Sequence, residues 1–229
     1  MDSSHNGPAY PSATDGNLGP EFTPSASFAV ADEGRRDVGV CFVGDSFTAG
    51  YGDPKALGWV GRVMARTHHP DVDITAYNLG VRGHDSGDIV ARWRAECMPR
   101  WQDRAERRLV VSAGLNDLWH GMSTARSRLN LANVIDEATS SGISPFVVGI
   151  PPSADAELNA RIEILATAQA DVCSRRSVPY VDCYRPLVSH DQWLGELAAG
   201  DGVHPGQVGY GLIAWLVLHN GWEQWLRLG

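Results

Sequence analysis

After a polar opening, hydrophobic residues in this chain fall into two alternating patterns. Short apolar runs recur at residues 38–43, 73–78, 108–112, 145–150 and 178–182. Three of them are rich in Val and Ile and nearly continuous, as expected of parallel strands buried on both faces. Between the runs, apolar positions repeat at helical spacing over 58–68, 86–98, 124–140, 154–177 and 207–218. In the fourth helix, which follows Pro151-Pro152, Leu158, Ile162, Leu165 and Ala168-Gln169 carry that spacing. Alternation of strand and helix predicts a parallel sheet covered on both faces and joined by right-handed crossovers. With five strands, the expected fold is a flavodoxin-like three-layer α/β/α sandwich with strand order 2-1-3-4-5. Residues 1–36, rich in Ser, Pro, Gly and Asn, are expected to be a flexible N-terminal tail without a chemical role. Residues 37–229 show no internal repeat and no dividing linker, so one domain is expected there.

A chain of 229 residues can bury a sizeable single core. Its net charge of −8 argues against a nucleic-acid or anionic-membrane partner. The arginines of segment 92–108 are interleaved with Glu96, Asp103 and Glu106, which predicts a solvated helix face. Cys41, Cys97, Cys173 and Cys183 form no C-x-x-C pair. Cys41 and Cys183 fall in predicted core strands, and a Cys173–Cys183 disulfide stays open at this point. The longest apolar run, 212–218, is too short to span a bilayer, and no signal-peptide pattern stands at the start. The expectation is a soluble, cytoplasmic protein.

The chemistry concentrates where apolar runs end. Gly44-Asp45-Ser46-Phe47-Thr48-Ala49-Gly50 follows the first run directly. A buried strand ending in such a turn sets the Ser46 hydroxyl at the carboxyl edge of the sheet, where open α/β sheets bind ligands. Near the other end, Asp201-Gly202-Val203-His204-Pro205 places a carboxylate three residues ahead of an imidazole. An imidazole of ordinary pKa, about 6.5, accepts a serine proton at neutral pH. Pro205 disfavours helical dihedrals at His204. Gly80 and Asn116, both in loops after apolar runs, are able to donate hydrogen bonds to an oxyanion. Each residue taken alone has a plain structural reading: a helix cap at Ser46, a turn at Asp201-Gly202 or Gly80, an Asx-turn at Asn116. It is their joint occurrence that points to acyl chemistry.

These residues carry a resemblance. The chain resembles the SGNH hydrolases, the GDSL esterase/lipase family, in four separated blocks. The matching residues are Gly44-Asp45-Ser46, Asn78-Leu79-Gly80-Val81-Arg82-Gly83, Gly114-Leu115-Asn116-Asp117 and Asp201-Gly202-Val203-His204-Pro205. Phe47 stands where the family name has Leu. The resemblance implies the same 2-1-3-4-5 sheet, a catalytic Ser46, Asp201 and His204, and an oxyanion hole of Ser46, Gly80 and Asn116. It implies a serine esterase acting on short-acyl or acetyl esters, with a small-molecule or carbohydrate ester as substrate and no cofactor.

Two other readings share the fold: an acyltransferase to a sugar or natural-product hydroxyl, and a non-catalytic ligand-binding domain. A phosphate-binding module is disfavoured because the first loop lacks G-x-x-x-x-G-K-[ST]. The nucleophile pattern G-x-S-x-G is absent as well. The remaining histidines lack partners at ligand spacing, so no metal site is expected. Asp45 and Asp117 are expected to organise their own turns. Trp215, Trp222 and Trp225 are expected in the core, Trp59 and Trp119 at the pocket wall. Loops 118–127 and 151–157 are the expected specificity elements.

Overall fold

The computed structural model describes residues 34–228. Strands β1 (Arg36–Gly44), β2 (Val72–Gly80), β3 (Glu106–Ser112), β4 (Ser144–Val148) and β5 (Tyr180–Val181) form one sheet. Every pairing is parallel and the order is β2-β1-β3-β4-β5. The helices are α1 (Ser46–Ala49), α2 (Gly58–Met64), α3 (Ser86–Cys97), α4 (Leu115–Trp119), α5 (Thr124–Ser140), α6 (Ala156–Ser174), α7 (Tyr184–Leu187), α8 (Asp191–Ala199), α9 (Gln207–Val217) and α10 (Glu223–Leu226). The expected topology is therefore observed. β1 opens at Arg36, the last residue of the expected tail, and residues 1–33 lie outside the described residues.

Side chains of a strand point alternately to its two faces. On β1, Val38, Val40 and Phe42 enter a core shared with α2, α8 and α9, through Trp59, Val63, Trp193, Tyr210 and Ile213. Cys41 and Val43 enter the opposite core, closed by Ile89, Trp93 and Cys97 of α3 and by Leu131 and Ile135 of α5. β2 is an edge strand, and only Val72 and Leu79 of it are buried.

Element ends deviate from the pattern for local reasons. α2 stops at Met64 rather than at residue 68, because the Arg66 and Thr67 N–H groups turn to the carbonyls of Val63 and Met64, three residues back, and close the helix end. α6 begins after Asp155, whose side chain accepts the Leu158 N–H at 2.8 Å. β5 has only two residues because Pro179 offers no N–H and Asp182 turns to accept the Tyr184 N–H at 2.9 Å. α8 escaped the periodicity because its buried residues are only Trp193 and Leu197.

Several side-chain expectations need correction. The four cysteines are buried free thiols, so Cys173 and Cys183 do not pair. The segment 92–108 is not a uniformly solvated face. The Arg92 side chain is only 12% exposed, and Arg108 is buried beside Glu106. Trp222 is fully buried and Trp225 packs against it, but Trp215 is 55% exposed and stacks on His219. Trp59 is fully buried in the core, edge-on to Phe42, rather than lining an open wall. Trp119 is half exposed at the last turn of α4.

Trp222 stacks on Phe42, meets Phe146 edge-on and donates its indole N–H to Thr67 Oγ1 at 2.8 Å. Trp222→Ala is expected to cost about 3–5 kcal/mol, read as a lower urea midpoint with an unchanged slope.

Candidate active site

The ends of β1, β2 and β3 meet in one row, with Gly44 paired to Gly80 on one side and to Ser112 on the other. At Gly44 the chain turns into α1. Asp45 caps that helix by accepting the Phe47 N–H at 3.0 Å, as expected for it. Ser46 is the first helical residue and is 6% exposed. First-turn N–H groups have no acceptor within their own helix, so the Ser46 amide stays available as a donor. α1 lies directly on β2: a Cβ at Gly80 would stand 2.2 Å from Ala49 N and 2.7 Å from Thr48 C. Only glycine permits that approach.

His204 reaches the same point from the other end of the chain. Its Nε2 is 2.8 Å from Ser46 Oγ, and its Nδ1 is 2.7 Å from Asp201 Oδ2. The other Asp201 oxygen accepts the N–H groups of Val203, at 2.9 Å, and His204, at 2.7 Å. One carboxylate thus bends the loop and orients the ring. The Gly202 carbonyl accepts the Ala154 N–H at 2.8 Å, which ties this loop to the segment after β4. Pro151, Pro152 and Ser153 are buried, so only the outer part of loop 151–157 is exposed.

The imidazole is 11% exposed and Asp201 48%. Partial burial pushes the Asp201 carboxyl up, but the His204 and Val203 N–H groups and the imidazole outweigh it and hold it at about 2. Phe47 and Tyr51 flank the ring at centroid distances of 5.1 and 4.8 Å. The Arg82 guanidinium lies 3.5 Å above Tyr51. Beside His204 a cleft of about 410 Å³ opens between Tyr51-Gly52 and the 199–206 loop.

Asn116 lies on α4 and is buried; its Nδ2 donates to the His84 carbonyl at 2.8 Å. A primary amide has a second N–H for another acceptor. The Gly80 N–H donates to Asn78 Oδ1 at 3.0 Å, while Asn78 Nδ2 donates to the Thr48 carbonyl at 2.8 Å. Asn78 therefore bridges β2 to α1, a role not read from the sequence even though it opens the second block. Asp117 does not serve its own turn as expected. It accepts the Ser86 N–H at 2.7 Å and the Ser127 hydroxyl, fastening α4 to the starts of α3 and α5. Among the described residues, no group of three or more His, Cys, Asp and Glu side chains is arranged to hold a metal ion.

A serine, an imidazole and a carboxylate in one hydrogen-bonded row at the carboxyl edge of a parallel sheet is an arrangement that recurs among acyl-transfer enzymes. The chain belongs to the GDSL-like lipase/acylhydrolase family, whose sequence profile matches residues 42–212. Solved structures share the fold. A lipase/acylhydrolase from Enterococcus faecalis is 26% identical with a TM-score of 0.65, covering 83% of this chain and 97% of its own. An alpha/beta hydrolase enzyme from the metagenome of Lake Arreo, Spain, is 20% identical with a TM-score of 0.65, covering 82% and 97%. Axe2, an acetylxylan esterase from Geobacillus stearothermophilus, is 18% identical with a TM-score of 0.64, covering 82% and 94%. No curated protein matches the chain.

Gly80→Ala is expected to lower stability by about 1–3 kcal/mol, because the new methyl meets backbone that cannot rotate away. Chemical denaturation beside an ester-hydrolysis assay measures it, and activity should fall with stability. Asp45 predicts a pH effect. Burial pushes its carboxyl up to about 7, against the Phe47 N–H and with help from the nearby Asp117 charge. A raised carboxyl contributes stability fully below its unfolded value, near 3.8, and loses it as pH rises through about 7. The urea midpoint of the wild type should decline over that window, and Asp45→Asn should flatten the decline.

Proposed function

We propose that this chain is a serine esterase that hydrolyses short-acyl or acetyl esters through an acyl-enzyme on Ser46. The observation that carries the reading is the continuous row from Ser46 Oγ through the imidazole to Asp201, at 2.8 and 2.7 Å. Ser46 Oγ attacks the ester carbonyl while His204 Nε2 takes its proton. Asp201 holds the Nδ1–H tautomer and stabilises the imidazolium that forms. His204 returns the proton to the departing alcohol, then activates the water that releases the acid.

The oxyanion would sit against the Ser46 N–H and the second Asn116 N–H. The Gly80 N–H would share itself between Asn78 and the substrate oxygen. Axe2 supports the assignment of roles, since two of its structures are catalytic mutants with alanine at one serine or one histidine. Its activity on acetylated xylan supports a small acyl group and a carbohydrate alcohol here.

Ser46→Ala should reduce hydrolysis of p-nitrophenyl acetate to background without a change in melting temperature. Wild-type turnover in that variant would end the reading. Asp201→Asn should lower kcat by roughly 10³–10⁴-fold through loss of the productive tautomer, measured on the same ester.

A further inference from the structure

We propose that Arg92 is the positioning residue for the oxyanion donors: a single guanidinium ties the ends of β1 and β2, which carry two of them, to the loop residue that receives the Asn116 amide. This inference rests on the reading of Ser46, Gly80 and Asn116 given above. Arg92 Nη2 donates to the Gly44 carbonyl at 2.9 Å, two residues ahead of Ser46. Nη1 donates to the Leu79 carbonyl at 3.0 Å, one residue ahead of Gly80. Nε donates to His84 Nδ1 at 3.0 Å. His84 is the residue whose carbonyl receives the Asn116 amide at 2.8 Å. Glu96 Oε2 accepts from Nη1 at 2.9 Å and fixes the guanidinium from its own helix.

The geometry is specific to arginine. Guanidinium donors radiate in a plane from three nitrogens, so one side chain spans two strand ends and a loop. A lysine ammonium is a single point and cannot bridge the same acceptors. The guanidinium donates to Gly44, Leu79, His84 and Glu96, so it acts through the groups it holds. Each of those groups stands within two residues of a proposed donor or is bonded to one. Small displacements of a donor matter, because a misplacement of about 1 Å can cost on the order of 10²-fold in rate.

The test is a double-mutant cycle on p-nitrophenyl acetate hydrolysis with Arg92→Ala, Asn116→Ala and the pair. Arg92→Ala should lower kcat about 10²-fold while KM changes less than about threefold, the split expected for transition-state stabilisation. In the Asn116→Ala background the same substitution should cost at least tenfold less, because one of the donors it aligns is already gone. Where Arg92→Ala does not fold, Arg92→Lys carries the cycle. Wild-type kcat in the arginine variant, or an equal loss in both backgrounds, overturns the inference. Wild-type enzyme and Ser46→Ala run alongside separate the two claims. Absence of Ser46-dependent hydrolysis in the wild type defeats the proposed function, whereas failure of the arginine effect alone leaves it standing.

Discussion

The parallel register at the end of the sheet is the constraint on which the site depends. Gly44 lies between Gly80 and Ser112, so three strands finish level with one another. Each chain segment that leaves this row enters the site: α1 after β1, loop 81–85 after β2, α4 after β3. A side chain at Gly44 would clash with Thr48 and with the Ser112 carbonyl, and one at Gly80 with α1. Removing Cβ atoms from two neighbouring strand ends lets a four-residue helix rest on the sheet edge. The position of Ser46 follows from that contact more than from its own hydrogen bonds.

Three carboxylates surround the site, and their environments separate their work. Asp201 is half exposed and held near 2 by the groups that donate to it, so it remains an anion facing the imidazole. Asp45 is buried under Ser46 and pushed toward neutrality, which suits a helix cap in a dry turn. Asp117, fully buried, is satisfied by the Ser86 amide and the Ser127 hydroxyl and serves as a clasp. Of the three, only Asp201 contacts the ring, so the proposed triad carboxylate is distinguished by its contacts and not by burial.

The layout of the fold was legible in the sequence because both faces of β1, β3 and β4 are buried, which writes near-continuous apolar runs. The five candidate site residues were legible for another reason: Ser46, Gly80 and Asn116 stand at or within a few residues of a strand end and Asp201 and His204 in a loop, where the strand and helix periodicities lapse and polar side chains stand out. The supporting residues were not legible. Asn78 sits in strand periodicity and looks like an outward polar position. Arg92 lies among charged neighbours and reads as solvated helix surface. Nothing local marks that its guanidinium reaches carbonyls 48 and 13 residues away. Trp215 failed in the opposite sense: it sits in an apolar helix but on its outer face, and a strongly apolar helix hides which face is outward.

The central claim is that folding makes one hydroxyl, that of Ser46, a nucleophile backed by an imidazole and by oxyanion donors. A fluorophosphonate reports on all three, since its phosphorus accepts only an activated serine and its oxygen needs the donors. Incubation of the full chain with such a reagent, followed by peptide mass spectrometry, should show a single adduct on Ser46 that disappears in His204→Ala. An unmodified protein, or an adduct on any other residue, would contradict the account.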